Sequence, residues 1–361
     1  MKKIISTIIS IVMIANCMIF VASATNITET TVFSEDGAYT YALEVAGKHI
    51  GISGDATDMS ASYSISNGYK IVGSADPTCR AFFAFMDNDC IGQLNVAFLD
   101  GRYFATYYSA DLPLITDMYE NDSPFALYRA NDRVYLIDNE KSYVFNGADD
   151  NDPFFSNVLE KTPITTGAIT VTVSENRYAR AVTNKFLDVP IVLNDVDIFG
   201  RGLCWAACVA SVVMYKTSYT GLTSLGVWGQ LVSSRGLTID ESFAIDSSYT
   251  QIAFEEYGVR TSSISNGMTF NTVKTHINRN NPVVAGILPD SSSNVGHMVV
   301  ISGYNQTDSE YWYQLMDCNV TKKEAEDKKY IYIILDDPAD TDFLYVTADG
   351  DVYNDWTVSI W

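Results

Sequence analysis

The chain has 361 residues, with 23 Lys and Arg against 44 Asp and Glu and a formal net charge of −21. A surface this acidic argues against nucleic acid and anionic membrane as partners. The length favours two domains, and the apolar content of 47% excludes a disordered or collagen-like chain.

Residues 1–24 read as a secretory signal peptide. Lys2 and Lys3 form a basic start, Ile4 to Val21 is apolar, and Ala22-Ser23-Ala24 is a small-x-small cleavage site. An uncleaved anchor is the alternative, and a lipoprotein through Cys17 is disfavoured by Asn16. No other apolar stretch is long enough to span a bilayer. The expectation is therefore an exported, secreted protein, whose net charge without Lys2 and Lys3 falls from −21 to −23. Cleavage leaves Cys79, Cys90, Cys204, Cys208 and Cys318, an odd count that leaves at least one free thiol. Whether Cys79 and Cys90 pair across a hairpin is open.

Residues 25–180 read as a β-rich domain, a sandwich or small barrel. Short aromatic and β-branched runs predict strands at Tyr39–Val45, Tyr69–Val72, Leu94–Phe98, Tyr103–Tyr108, Phe125–Tyr128, Arg133–Ile137 and Ile169–Val173. Turn pairs such as Asn67-Gly68 and Asp100-Gly101 separate them. His49 is the only histidine of this half and reads as a packed or surface residue. The acidic stretch Ala148–Pro153 lacks the glycine and glutamate of a calcium loop and reads as a solvated loop. A domain boundary is expected near residues 174–188.

The second domain, residues 188–361, reads as α+β. A near-chargeless helix is predicted over 204–216, then helices at Ser224–Ser233, Ser248–Tyr257 and Phe270–Asn278. Strands follow at Val283–Leu288, His297–Gly303, Tyr311–Met316 and Tyr330–Ile334, with one more within Val352–Trp361. Cys204 stands in the first turn of the long helix, after Gly202 and Leu203. The helix dipole and the unpaired N–H groups there favour its thiolate, which makes Cys204 the candidate nucleophile. Cys208, one turn on, reads as a small buried residue.

A thiol nucleophile needs a base, and the base needs an orienting acceptor. His276 lies within a helix and reads as a bystander. His297 opens an apolar strand, at a sheet edge where a cleft can form. Asp317 ends the next strand, and an antiparallel hairpin brings that end beside His297. Asn319 and Asp337 are weaker candidates for the same role.

These residues carry a resemblance. Val189-Pro-Ile-Val-Leu-Asn194, Cys204-Trp-Ala-Ala-Cys208, Asn281-Pro-Val-Val-Ala-Gly286, Gly296-His-Met-Val-Val-Ile-Ser-Gly-Tyr304 and Met316-Asp-Cys-Asn319 resemble the papain-like cysteine peptidases of bacteria. The similarity is to the C39-like and AvrRpt2-type branches, over about residues 188–335. It implies a papain-like fold, with Cys204 as nucleophile, His297 as base and Asp317 as orienting acid. It also implies that Asn194, where the family has glutamine, donates to the oxyanion with the Cys204 N–H. A longer gap, Asp195 to Leu203, and Cys318 in place of proline depart from the pattern.

The expected function is a secreted thiol peptidase acting on peptide or protein substrates. The alternatives are a non-catalytic binding protein of the same fold, and a thiol acyltransferase or amidase with the same triad. Two roles fit the first domain: a prodomain that inhibits until cut near Glu175–Lys185, or a permanent binding module. No metal site or phosphate loop is visible, and no cofactor is implied.

Overall fold

The computed structural model describes residues 32–55, 61–130, 133–138, 142–146, 160–171, 183–194, 202–236, 247–289, 296–308, 310–320, 325–326 and 328–361. The leader, the stretch Ala148–Pro153, the connection Glu175–Arg180 and most of the gap before Cys204 lie outside the described residues. No helix among the described residues is long and apolar enough to cross a membrane.

The first described element corrects the expectation of a strand. Glu35–Ser53 is a 19-residue helix, α1. Ser34 caps it by accepting the Gly37 N–H, Glu35 and Asp36 complement its dipole, and Gly54 ends it in the left-handed conformation. Tyr39 and Tyr41 alternate with polar neighbours, as in a strand. The deciding period is longer: Ala38, Ala42, Val45, Ala46, His49 and Ile50 recur at helical spacing and form the buried face.

The remaining strands of this half include those expected at Tyr69–Val72, Leu94–Phe98, Tyr103–Tyr108, Phe125–Tyr128 and Arg133–Ile137, and three, at 63–66, 80–86 and 142–146, that were not expected. They are β1 (Tyr63–Ser66), β2 (Tyr69–Val72), β3 (Arg80–Met86), β4 (Asp89–Leu99), β5 (Arg102–Ser109), β6 (Ala126–Ala130), β7 (Arg133–Ile137), β8 (Ser142–Asn146) and β9 (Thr166–Ala168). The last corrects Ile169–Val173, since the paired residues lie just before it. A short helix, α2 (Pro113–Glu120), follows β5. Helix α1 packs on β4 and β5 and shares a core with Phe82, Leu94, Val96 and Tyr107. Phe83, Phe85 and Phe104, from alternate positions, share a second core with Leu127, Val134 and Leu136. The sheet thus carries α1 on one face and packs against β6 and β7 on the other.

Cys79 and Cys90 are buried and free. The β3–β4 hairpin exists, but Cys90 lies opposite Phe85 near its turn, whereas Cys79 precedes Arg80 at the far end of β3. The spacing along a strand of ~3.3 Å per residue keeps their sulfurs apart.

In the second half, β10 (Thr183–Phe186) leads to α3 (Cys204–Lys216), α4 (Ser224–Arg235), α5 (Ser247–Glu256), β11 (Ser263–Ile264) and α6 (Phe270–Asn278). Then come β12 (Val283–Leu288), β13 (His297–Gln306), β14 (Tyr311–Met316), β15 (Ile331–Leu335), β16 (Tyr345–Val346), β17 (Val352–Tyr353) and β18 (Asp355–Ile360). Strands β12 to β15 are consecutive antiparallel neighbours. Helix α3 is buried from Trp205 to Val213, because α4, α5 and β13 surround it. Ala206, Ala207, Ala210 and Ser211 keep its circumference small enough for that close packing.

The two halves share one mixed sheet. Its order runs β11-β18-β12-β13-β14-β15-β5-β4-β3-β2-β6-β7-β8, and the join is β15 against β5, with Ile331 opposite Tyr108 and Ile333 opposite Thr106. The C-terminal hairpin β16–β17 crosses the same join and lies against β4 and β5.

Candidate active site

The helix start brings Cys204 to the edge of β13. Leu203 fills the N-cap position without a side-chain cap, so the first-turn N–H groups stay available to a ligand or reacting group. Cys204 is half-buried, while the other four described cysteines are buried. His297 opens β13 and is 5% exposed; Asp317 follows β14 and is 2% exposed. The antiparallel register, with Val300 opposite Met316, turns the end of β14 toward the start of β13.

His297 Nε2 and Asp317 Oδ1 are 2.8 Å apart, and the same imidazole lies close enough to Cys204 to act on its thiol. Burial alone would raise the Cys204 thiol pKa. The hydrogen bond and charge of His297 outweigh it, with help from the Met298 backbone, and the thiol lies below its ordinary value. Burial alone would lower His297. The charge and hydrogen bond of Asp317, then Cys204, hold it well above the ordinary value instead. Burial raises Asp317, but the charge and hydrogen bond of His297, then Tyr345 and the Asn319 N–H, bring it below the carboxylate norm. The arrangement favours a thiolate–imidazolium pair backed by a carboxylate.

The other thiols differ in one respect. Desolvation dominates at Cys79, Cys90, Cys208 and Cys318, and each is raised well above the ordinary thiol value. Cys208 is buried as expected, with its Sγ donating to the Met298 carbonyl at 3.3 Å. Cys318 is free and buried beside the site.

Asn194 lies at the helix start. Its Oδ1 accepts the Leu203 N–H at 2.6 Å, its Nδ2 donates to Asn319 Oδ1 at 2.8 Å, and its backbone N–H reaches the Cys318 carbonyl at 2.9 Å. A Cβ at Gly202 would stand 3.0 Å from Asn194 Nδ2, so glycine leaves room for this amide. One Nδ2 proton remains beyond the bond to Asn319. Asn319 itself holds Asn194 and gives its backbone N–H to Asp317 Oδ1 at 2.8 Å, rather than facing His297.

The other candidates stand apart. His276 packs against Trp361, with ring centroids 4.9 Å apart, and Asp337 is exposed, with its carboxylate capping the Ala339 N–H. His49 is fully buried between Tyr107 and Trp312.

Two residues escaped sequence reasoning. The Tyr345 hydroxyl donates to Asp317 Oδ2, and the Tyr353 ring lies 5.8 Å from the His297 ring. Both belong to the β16–β17 hairpin, which carries no motif. The abundance of tyrosine in the chain hides the two that matter.

A helix-borne thiol, a strand-borne imidazole and a carboxylate on the neighbouring strand are the layout of a papain-type thiol domain. In agreement, residues 187–340 match the model of the Peptidase_C39 like family, a family of cysteine peptidase type. The match covers less than half of the chain and leaves the first half outside it. No curated protein matches the chain.

Proposed function

We propose that the chain is an exported thiol peptidase that hydrolyses peptide bonds through Cys204, His297 and Asp317. The observation that carries this reading is the 2.8 Å pairing of His297 with Asp317 beside the helix-start thiol of Cys204, whose pKa the imidazole lowers. The Cys204 thiolate attacks the scissile carbonyl carbon. The resulting oxyanion takes the Cys204 N–H and the remaining Asn194 amide proton. The His297 imidazolium then gives its proton to the departing amine. Water, deprotonated by His297, releases the acyl group from the sulfur. Asp317 keeps the imidazole oriented and stabilises its charged form throughout.

A second reading has its own support. Both ends of the Asn194 side chain already serve Leu203 and Asn319. A weak oxyanion site would make the domain a binding protein of the same fold.

A thiol-reactive peptide-like probe separates them. Cys204 is expected to label faster than the other four cysteines of the mature chain, and His297→Ala is expected to slow it ~100-fold or more. Peptide hydrolysis is expected to vanish in Cys204→Ala. Equal labelling of all five thiols would defeat the catalytic reading. Fast labelling without hydrolysis of any peptide library would favour the binding protein.

A further inference from the structure

The carboxylate of Asp317 is buried and charged, so both of its oxygens need donors. Oδ1 receives His297 and the Asn319 N–H. Oδ2 receives the hydroxyl of Tyr345. That tyrosine is itself fully buried and lies on β16, outside the family match.

What holds Tyr345 comes from the other half of the chain. The Tyr108 hydroxyl, on β5, donates to the Val346 carbonyl at 2.7 Å and stands 3.1 Å from the Tyr345 oxygen. Thr106 Oγ1 accepts the Val346 N–H at 3.0 Å. Asn95 Nδ2 reaches the Thr347 carbonyl at 2.6 Å, and Gln93 Nε2 reaches the Ala348 carbonyl at 3.1 Å. Arg129 pairs with Asp349 at 3.0 Å and with Asp351 at 2.5 Å. Every backbone carbonyl from Val346 to Ala348 is thus held by a buried side chain of the first half. Val346 also lies within the core formed by Phe83, Phe85 and Leu127.

We propose that Tyr345 is a positioning residue of the catalytic centre, and that the first half of the chain is a permanent part of the catalytic unit because it holds Tyr345 against Asp317. This rests on the peptidase reading above, since it assigns Asp317 its role there. A shed prodomain would take Tyr108, Asn95, Gln93 and Arg129 with it and release the hairpin. Asp317 would lose the donor that fixes Oδ2, and its carboxylate could turn away from His297 Nε2, which weakens its hold on the imidazolium. Cys204 would then hold its proton to higher pH.

The test is the pH profile of Cys204 alkylation by iodoacetamide in the full chain, which needs no peptide substrate. Tyr345→Phe keeps the ring and removes the hydroxyl. The acid limb is expected to move up by about one pH unit, and the rate at pH 6 to fall roughly tenfold. Tyr108→Phe is expected to move it the same way by less. A merely structural role would lower the unfolding midpoint and leave the limb of the folded protein in place. Unchanged limbs in both variants overturn the proposal, and an unchanged limb in Tyr108→Phe alone does so where Tyr345→Phe fails to fold. A depressed limb in the wild type with no peptide hydrolysis leaves the Tyr345 role standing and sinks the peptidase reading. In the second arm, native mass of the labelled wild-type species is expected to include both halves, whether or not the chain is nicked. Full labelling of a second half alone, at the wild-type rate, overturns the permanent role.

Discussion

The two halves of this chain share one sheet and contribute opposite things to the site. The second half supplies every group that would react: Cys204 from a helix start, His297 from a strand start and Asp317 from the strand beside it. The first half supplies none of these. Its Gln93, Asn95, Thr106, Tyr108 and Arg129 grip a hairpin that stands behind Asp317. The reacting groups cluster in motifs because they sit at element ends a few residues wide. The supporting groups are scattered over three strands, since each meets a different point of one hairpin. A candidate site can therefore read as local in sequence while the groups that hold it come from far away.

That contrast can be broken most directly at Arg129. Arg129→Met leaves Asp349 and Asp351 without their cation in a largely buried place. A loss of about 4 kcal/mol is expected from denaturant unfolding, together with slower Cys204 alkylation, because the hairpin loosens. A stability loss with the alkylation rate untouched would uncouple the halves.

His49 sharpens the comparison from the other face of the sheet. It projects from α1 against Trp312 of the second half, and neither ring nitrogen has a hydrogen-bond partner. Burial, then the charge of Lys48, lowers its pKa to about 3, and the nearby Tyr332 backbone offsets this only in part. The folded value lies below the unfolded one of about 6.5, so the unfolded chain binds the extra proton as pH falls. Stability is therefore full above about 6.5 and declines between there and about 3. At pH 4.5 the loss is about 2–3 kcal/mol. His49→Leu is expected to remove this part of the acid sensitivity, read as the difference between unfolding free energies at pH 7 and 4.5. An unchanged difference would mean that the ring is not sealed between the halves.

The smallest effect belongs to Lys48. Its ion pair with Glu310 joins the halves at 2.8 Å, but the side chains are 44% and 28% exposed. Lys48→Met is expected to change stability by less than about 1 kcal/mol and to leave alkylation unaltered. A larger loss would show that the halves are held by surface charge rather than by the shared sheet.

In the second half the four helices and the strands from Val283 to Leu335 lie near their expected bounds, whereas β10, β11 and β16 were not expected and the one strand expected within Val352–Trp361 is two. Helices Cys204–Lys216 and Phe270–Asn278 have the expected bounds, because a long apolar run with glycine or Asn-Pro punctuation admits few alternatives. The proximity of Asp317 to His297 was also legible, because an antiparallel hairpin forces the end of one strand beside the start of the next. The first half is less legible. At Tyr39–Val45 an alternating septet outweighed a helical period that only 12 or more residues reveal. The Cys79–Cys90 hairpin was recognised, but the register that separates its thiols was not.

The sequence alone picked out the three residues that meet at the candidate site, because Cys204, His297 and Asp317 each stand at a recognisable element end. It also determined the helix-then-strand order that brings them together. Only the tertiary structure decided that both halves belong to one sheet and that Tyr345 closes the second oxygen of Asp317. The reason is physical. Pairing of β15 with β5 and the grip on the β16–β17 hairpin join residues more than 200 positions apart, and such contacts depend on three-dimensional register rather than on any local period.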